Sequence, residues 1–106
     1  MSYEVRKQVL MGHSSDVNAL DFSHSDILVS GSNDKTLRVW VKDSDGVYSE
    51  SKDSELMSPF VGHKYGVNCV RFSPFDTIIA SGSTDGNIVM WNAKVGLHAT
   101  PCRREL

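Results

Sequence analysis

His13, Ser30 and Asp34 are the first residues of this chain whose types could do chemistry together. An imidazole, a hydroxyl and a carboxylate are what a hydrolase uses as general base, nucleophile and orienting group. The same types return as His63, Ser81 and Asp85, and each set is followed by a tryptophan, Trp40 and Trp91. That repetition argues against catalysis, because a triad is needed once in a pocket whereas a structural tie is needed in every unit of a repeat. Neither serine sits in a GxSxG elbow. A non-enzymatic role without cofactor is therefore expected.

Metal binding is not indicated either. "DSDG" (43 to 46) is like the start of a calcium loop, but its Gly comes two positions early and the twelfth position is Ser54 rather than Glu. His24 and His98 have no partner at ligand spacing, and Cys69 and Cys102, 33 residues apart, make no CxxC pair. Cys69 is expected to be a small buried apolar residue.

The elements that must position these groups are legible as a repeat. "GHSSDVNALDF" (12 to 22) returns as "GHKYGVNCVRF" (62 to 72), and "SGSNDKTLRVW" (30 to 40) as "SGSTDGNIVMW" (81 to 91), each identical at five of eleven positions. The offset grows from 50 to 51 because "SHSD" becomes "SPFDT", a difference that a turn absorbs. Alternation in "VNALDF" and "VNCVRF" puts Leu20 with Phe22, and Val70 with Phe72, on one face. "ILVSGS" and "TIIASGS" suit strands buried on both sides, and "TLRVWV" and "NIVMWN" follow after turns, of which Asp85-Gly86 is the stronger hairpin signal. A further strand is expected before each GH, at 5 to 11 and 55 to 61. No segment has helical spacing, so the chain reads as all-β.

Composition bounds the rest. The chain has 106 residues, 40% of them apolar and 23% charged, with a net charge of -2, which is ordinary for one globular domain and gives no attraction to nucleic acid. No run approaches the ~18 apolar residues of a membrane span, and "MSYEVRKQVL" lacks the apolar core of a signal peptide, so a cytoplasmic or nuclear location is expected. Residues 42 to 58 hold five acids, two lysines and five serines. They read as a solvated acidic loop, with phosphorylation as the functional alternative.

Four strands per unit, GH at the start and Trp near the end of the third strand together resemble the WD repeat of β-propellers. The eponymous Asp is absent in both copies, which read Trp40-Val41 and Trp91-Asn92. Within the family, "FSPFDTIIASGSTDGNIVMWN" and the spacing from Trp to the next GH look most like the N-terminal repeats of the WD-repeat, SAM and U-box proteins. The resemblance implies a partial propeller over 1 to 106, with repeat cores at 12 to 41 and 62 to 92, the acidic loop at 42 to 58 and a tail at 93 to 106. It also implies that His, Ser, Asp and Trp of each copy close a hydrogen-bonded chain across the blade. Trp can only donate and ionised Asp only accept, while Ser and neutral His do both.

The same resemblance places Asp16, Asn18 and Asn33, and Gly66, Asn68 and Thr84, on a rim at one end of the blades. As a set they are the expected contact surface for a protein partner. The expected function is a scaffold for protein-protein interaction, or else the substrate-recognition part of a ubiquitin ligase whose U-box lies outside this chain. Closed propellers have about 4 to 8 blades and fewer than about three stacked repeats are rarely stable. Two blades with an incomplete second therefore predict self-association, or assembly with the missing blades.

Overall fold

Alternating and continuous apolar runs produce strands throughout. The computed structural model describes residues 7–52 and 58–93. Its strands are β1 (Val17–Phe22), β2 (Leu28–Ser32), β3 (Thr36–Lys42), β4 (Tyr48–Glu50), β5 (Phe60–Val61), β6 (Val67–Phe72), β7 (Ile78–Ser83) and β8 (Ile88–Asn92). All pairings are antiparallel. The first sheet is ordered β1-β2-β3-β4 with β5 also on β3, and the second is β6-β7-β8. The fold is thus all-β, two consecutive blades, the second with three strands among the described residues.

Turn chemistry ends the strands at equivalent places. After β1 the Ser23 hydroxyl accepts from Ile27 N at 2.9 Å, and after β6 the Ser73 hydroxyl accepts from Ile78 N at 3.1 Å, so the extra residue of the second copy fits inside the loop. Asp26 and Asp76 both take positive φ there. Between the second and third strands of each blade the same left-handed position is held by Lys35 (φ 75) and Gly86 (φ 84). Only glycine adopts it without steric cost.

The outer strand of the first blade corrects the expectation of one loop from 42 to 58. β4 pairs with the far half of β3, setting Trp40 opposite Glu50, and β5 pairs with the near half, setting Leu37 opposite Phe60. Between them Ser51 N donates to Val39 O at 2.8 Å, and Val39 N donates to Ser58 Oγ at 2.9 Å. Two stretches on either side of residues 53–57 therefore share the outer edge of β3, the first of them inside the acidic, serine-rich run. Its composition hid the strand, in which Ser49 is exposed while Tyr48 and Glu50 are half-buried.

The leading strand expected at 5 to 11 is not formed over its described part, residues 7–11. A strand needs a partner to satisfy its backbone, and no strand among the described residues receives this one. The side-chain amide of Gln8 instead donates to Tyr48 O at 2.6 Å and accepts from Tyr48 N at 3.0 Å, standing in for a backbone pair on the edge of β4. The strand expected at 55 to 61 is reduced to Phe60–Val61, with 55–57 outside the described residues. The expected tail beyond Ala93 lies outside them too.

The core is the seam between the blades. One face of the first blade presents Val29, Leu37 and Val39, and one face of the second presents Val67, Val70, Ile79, Val89 and Trp91, all buried. At the centre Gly31 lets the sheets close, since a Cβ there would lie 2.6 Å from Val67 Cγ1 and 2.9 Å from Val70 Cγ1. Each fully buried aliphatic side chain contributes about 1.5–3 kcal/mol. Asp21 Oδ2 accepts from Phe72 N at 2.7 Å and Asp76 Oδ2 accepts from His24 N at 2.8 Å, adding polar ties across the seam.

The same alternation leaves two faces open. Val17, Leu20 and Phe22 are 49%, 60% and 57% exposed, whereas their counterparts Val67 and Val70 are at 0% and 2%. On the far side of the second blade, Ile88 is exposed where its counterpart Leu37 is fully buried. Cys69 lies on this far side and is exposed, which corrects the expectation of a buried thiol. Its counterpart Ala19 is packed against the next blade, and among the described residues no such blade lies beside Cys69.

Candidate functional site

Both blades are braced by a chain of side-chain hydrogen bonds running from the loop before the first strand to the third strand. In the first blade Trp40 Nε1 donates to Ser30 Oγ at 2.9 Å, Ser30 Oγ meets His13 Nε2 at 2.6 Å, and His13 Nδ1 meets Asp34 Oδ2 at 2.8 Å. Register makes this possible, because Trp40 stands opposite Leu28 and so reaches diagonally to Ser30 on the same face. Glycine precedes each histidine because the indole lies against it: a Cβ at Gly62 would be 2.7 Å from Trp91 Cη2, and one at Gly12 3.0 Å from Trp40 Cη2.

The second blade repeats three members. Trp91 Nε1 donates to Ser81 Oγ at 2.9 Å and Ser81 Oγ meets His63 Nε2 at 2.7 Å. Asp85 corrects the expectation of two equal sets of four. It is exposed at the turn, and its carboxylate accepts from the backbone N–H and the side-chain amide of Asn87, both at 3.0 Å. In the first blade Thr36 fills that place, and its hydroxyl and N–H both go to Asp34 Oδ1, leaving Oδ2 for His13 and the Ser14 N–H. The longer amide of Asn87 reaches the second oxygen that Thr36 leaves open.

These bonds also decide what the serines can do. Ser30 and Ser81 are buried, and each hydroxyl already takes an indole proton while facing an imidazole. Both are thereby links between indole and imidazole inside their blades.

The rim residues form a row along one end of the seam. Asn33 N donates to Asp16 O at 2.9 Å, Asn18 Nδ2 donates to Asn33 Oδ1 at 2.7 Å and to Val67 O at 3.0 Å, and Thr84 N donates to Gly66 O at 3.2 Å. Gly66 lies directly on Asn33, where a Cβ would come within 2.7 Å of Oδ1. Asn18 and Asn68 occupy the two bulges that interrupt the register of β1 and β6. Asn18 and Asn33 therefore join the blades, and Asp16, Asn18, Asn33, Asn68 and Thr84 are all exposed, with Gly66 half-buried.

A profile of the WD domain, G-beta repeat, matches residues 4–41 and 54–92. The chain belongs to the WD-repeat family. Similar proteins include the WD repeat, SAM and U-box domain-containing protein 1 of Gallus gallus, 42% identical over 88 residues that cover 82% of this chain and 17% of that protein. The Homo sapiens protein of that name is 43% identical over the same coverage. A guanine nucleotide-binding protein subunit beta-like protein of Encephalitozoon cuniculi is 34% identical over 90% of this chain and 28% of its own length. The chain thus spans 17% of the length of the first two relatives. WD repeats serve in general as protein-interaction scaffolds.

Electrostatics at Asp34 follow from its hydrogen bonds in the first WD blade. Burial alone would raise the carboxyl of Asp34, but hydrogen bonds from the Thr36 hydroxyl, from His13 and from the N–H groups of Ser14 and Thr36 outweigh it and hold the group well below its ordinary value. Sequence reasoning missed Thr36, which the second copy replaces with Asn87, and missed the seam ties of Asp21 and His24, replaced by Arg71 and Pro74. A comparison of repeats finds what recurs, and these groups do not. It also missed the pairing of Arg38 with Glu50 at 2.7 Å, which holds β4 on β3.

Proposed function

We propose that this WD-repeat chain is a non-enzymatic interaction module that receives a protein partner on its rim, with specificity set by Asp16, Asn18, Asn33, Gly66, Asn68 and Thr84 as a set. The observation that carries the reading is the exposed polar row along one end of the seam, beside histidine-serine pairs that Trp40 and Trp91 hold inside the blades. Asn18 and Asn33 belong to the same surface and keep the row in register. Nucleic acid and membrane are not the targets in this reading, since neither charge nor an apolar span favours them, and the module works in the cytoplasm or nucleus without metal or cofactor.

The test is affinity capture with the wild-type chain beside Asp16→Lys, Asn68→Lys and Thr84→Lys. Loss of specific partners with retained folding is expected, and identical capture by all four chains would remove the rim from consideration. A serine-reactive probe should leave Ser30 and Ser81 unlabelled, and labelling would reinstate a hydrolase. The second reading makes the module the substrate-recognition part of a U-box ubiquitin ligase. The likeness to the SAM and U-box proteins favours it. It requires a longer transcript that continues into those two domains, and a partner ubiquitylated only when they are present.

A further inference from the structure

We infer that free copies of this chain associate head to tail, the far face of the second blade of one copy docking on the open face of the first blade of another. The seam within the chain is the template. Val17, Leu20 and Phe22 are exposed counterparts of Val67, Val70 and Phe72, which the first blade covers. Ala80, Ile88 and Met90 are uncovered or half-covered counterparts of Val29, Leu37 and Val39, each fully buried in the seam. Unlike faces of one chain therefore match as front and back of the same joint.

Three further features carry over by one repeat. Gly82 stands where Gly31 admits Val67 and Val70, and within its own chain an added Cβ would meet only the Cys69 sulfur. Asn68 is exposed at the second bulge, placed to donate to the Val17 carbonyl of the next copy as Asn18 does to Val67. β5 lays Phe60 and Val61 on the edge of β3 beside Leu37 and Thr36. The equivalent Leu10 and Met11 are unpaired among the described residues, and so is the outer edge of β8 where Asn87 and Ile88 would receive them.

Two ties do not carry over. Arg71 replaces the acceptor Asp21, and Pro74 has no N–H to give as His24 does, while Asp26 already pairs with Lys42. The joint between chains is thus weaker than the seam inside one, and association should be reversible. Such a front-to-back joint closes only if its rotation does. With two blades per chain, rings of about two to four copies fall in the range of closed propellers.

Sedimentation of the full chain should show concentration-dependent, finite multiples of 11.7 kDa. Leu20→Lys blocks one face and Ile88→Lys the other, so each alone should weaken association about tenfold or more by burying a charge in the joint. Both positions are exposed, which spares the fold. Mixed together, the two variants should restore a one-to-one heterodimer through their intact faces. A wild-type chain that stays monomeric at every concentration overturns the proposal and leaves the faces to blades of a longer protein. So does association that neither variant weakens, or that the mixture fails to restore.

Discussion

A carboxylate two residues from threonine and another two residues from asparagine behave differently although the repeat gives them the same place. Asp34 gathers four hydrogen bonds inside the first blade, whereas Asp85 serves its own turn. Asp34→Ala should lower stability by about 1–3 kcal/mol and Asp85→Ala by about 0.5 kcal/mol or less, measured by urea unfolding. The pH dependence has a fixed sign. Because folding holds the Asp34 carboxyl below its ordinary 3.8, the unfolded chain takes up that proton first on acidification. Its stabilisation is complete above that value and drains away as the pH falls below it. Asp34→Asn should flatten the acid limb of a stability-pH curve. Lys35 and Gly86 offer a second pair: Lys35→Gly should raise the melting temperature by relieving a strained φ of up to about 1 kcal/mol, and Gly86→Lys should lower it.

Strands are where the sequence was most and least informative. Six of them, β1 to β3 and β6 to β8, were legible because period-two alternation and paired turn signals occur twice, and two noisy copies corroborate one another. β4 was not, since Tyr48, Ser49 and Glu50 carry little apolar signal and are held by Arg38 and by backbone pairing that no local pattern announces. The leading strand failed for the opposite reason: its composition suits a strand, but strand formation is decided by a partner. Ser58 tests the shared outer edge of β3. Its hydroxyl accepts from Val39 N and donates to Glu50, so Ser58→Ala should destabilise the first blade by about 1–3 kcal/mol, read as faster amide exchange at Val39. Of the candidate site, the braces were legible from their recurrence, and the inequality of Asp34 and Asp85 was not, because it turns on a neighbour that differs.

At the scale of the molecule, identical sequence positions have unequal worth according to what stands beside their blade. Val70→Lys should unfold the chain by forcing a charge into the seam, while Leu20→Lys, one repeat earlier, should leave the fold of a dilute chain intact; circular dichroism of the two variants separates these outcomes. Gly31 sharpens the point, since the close approach of the sheets there depends on one missing methyl. The unlike sides of each blade give the polypeptide a direction, a plug at one end and a socket at the other. A stretch of gene copied in tandem would consequently encode a unit that already fits its progenitor, so a chain built this way can lengthen by duplication before any new surface has evolved.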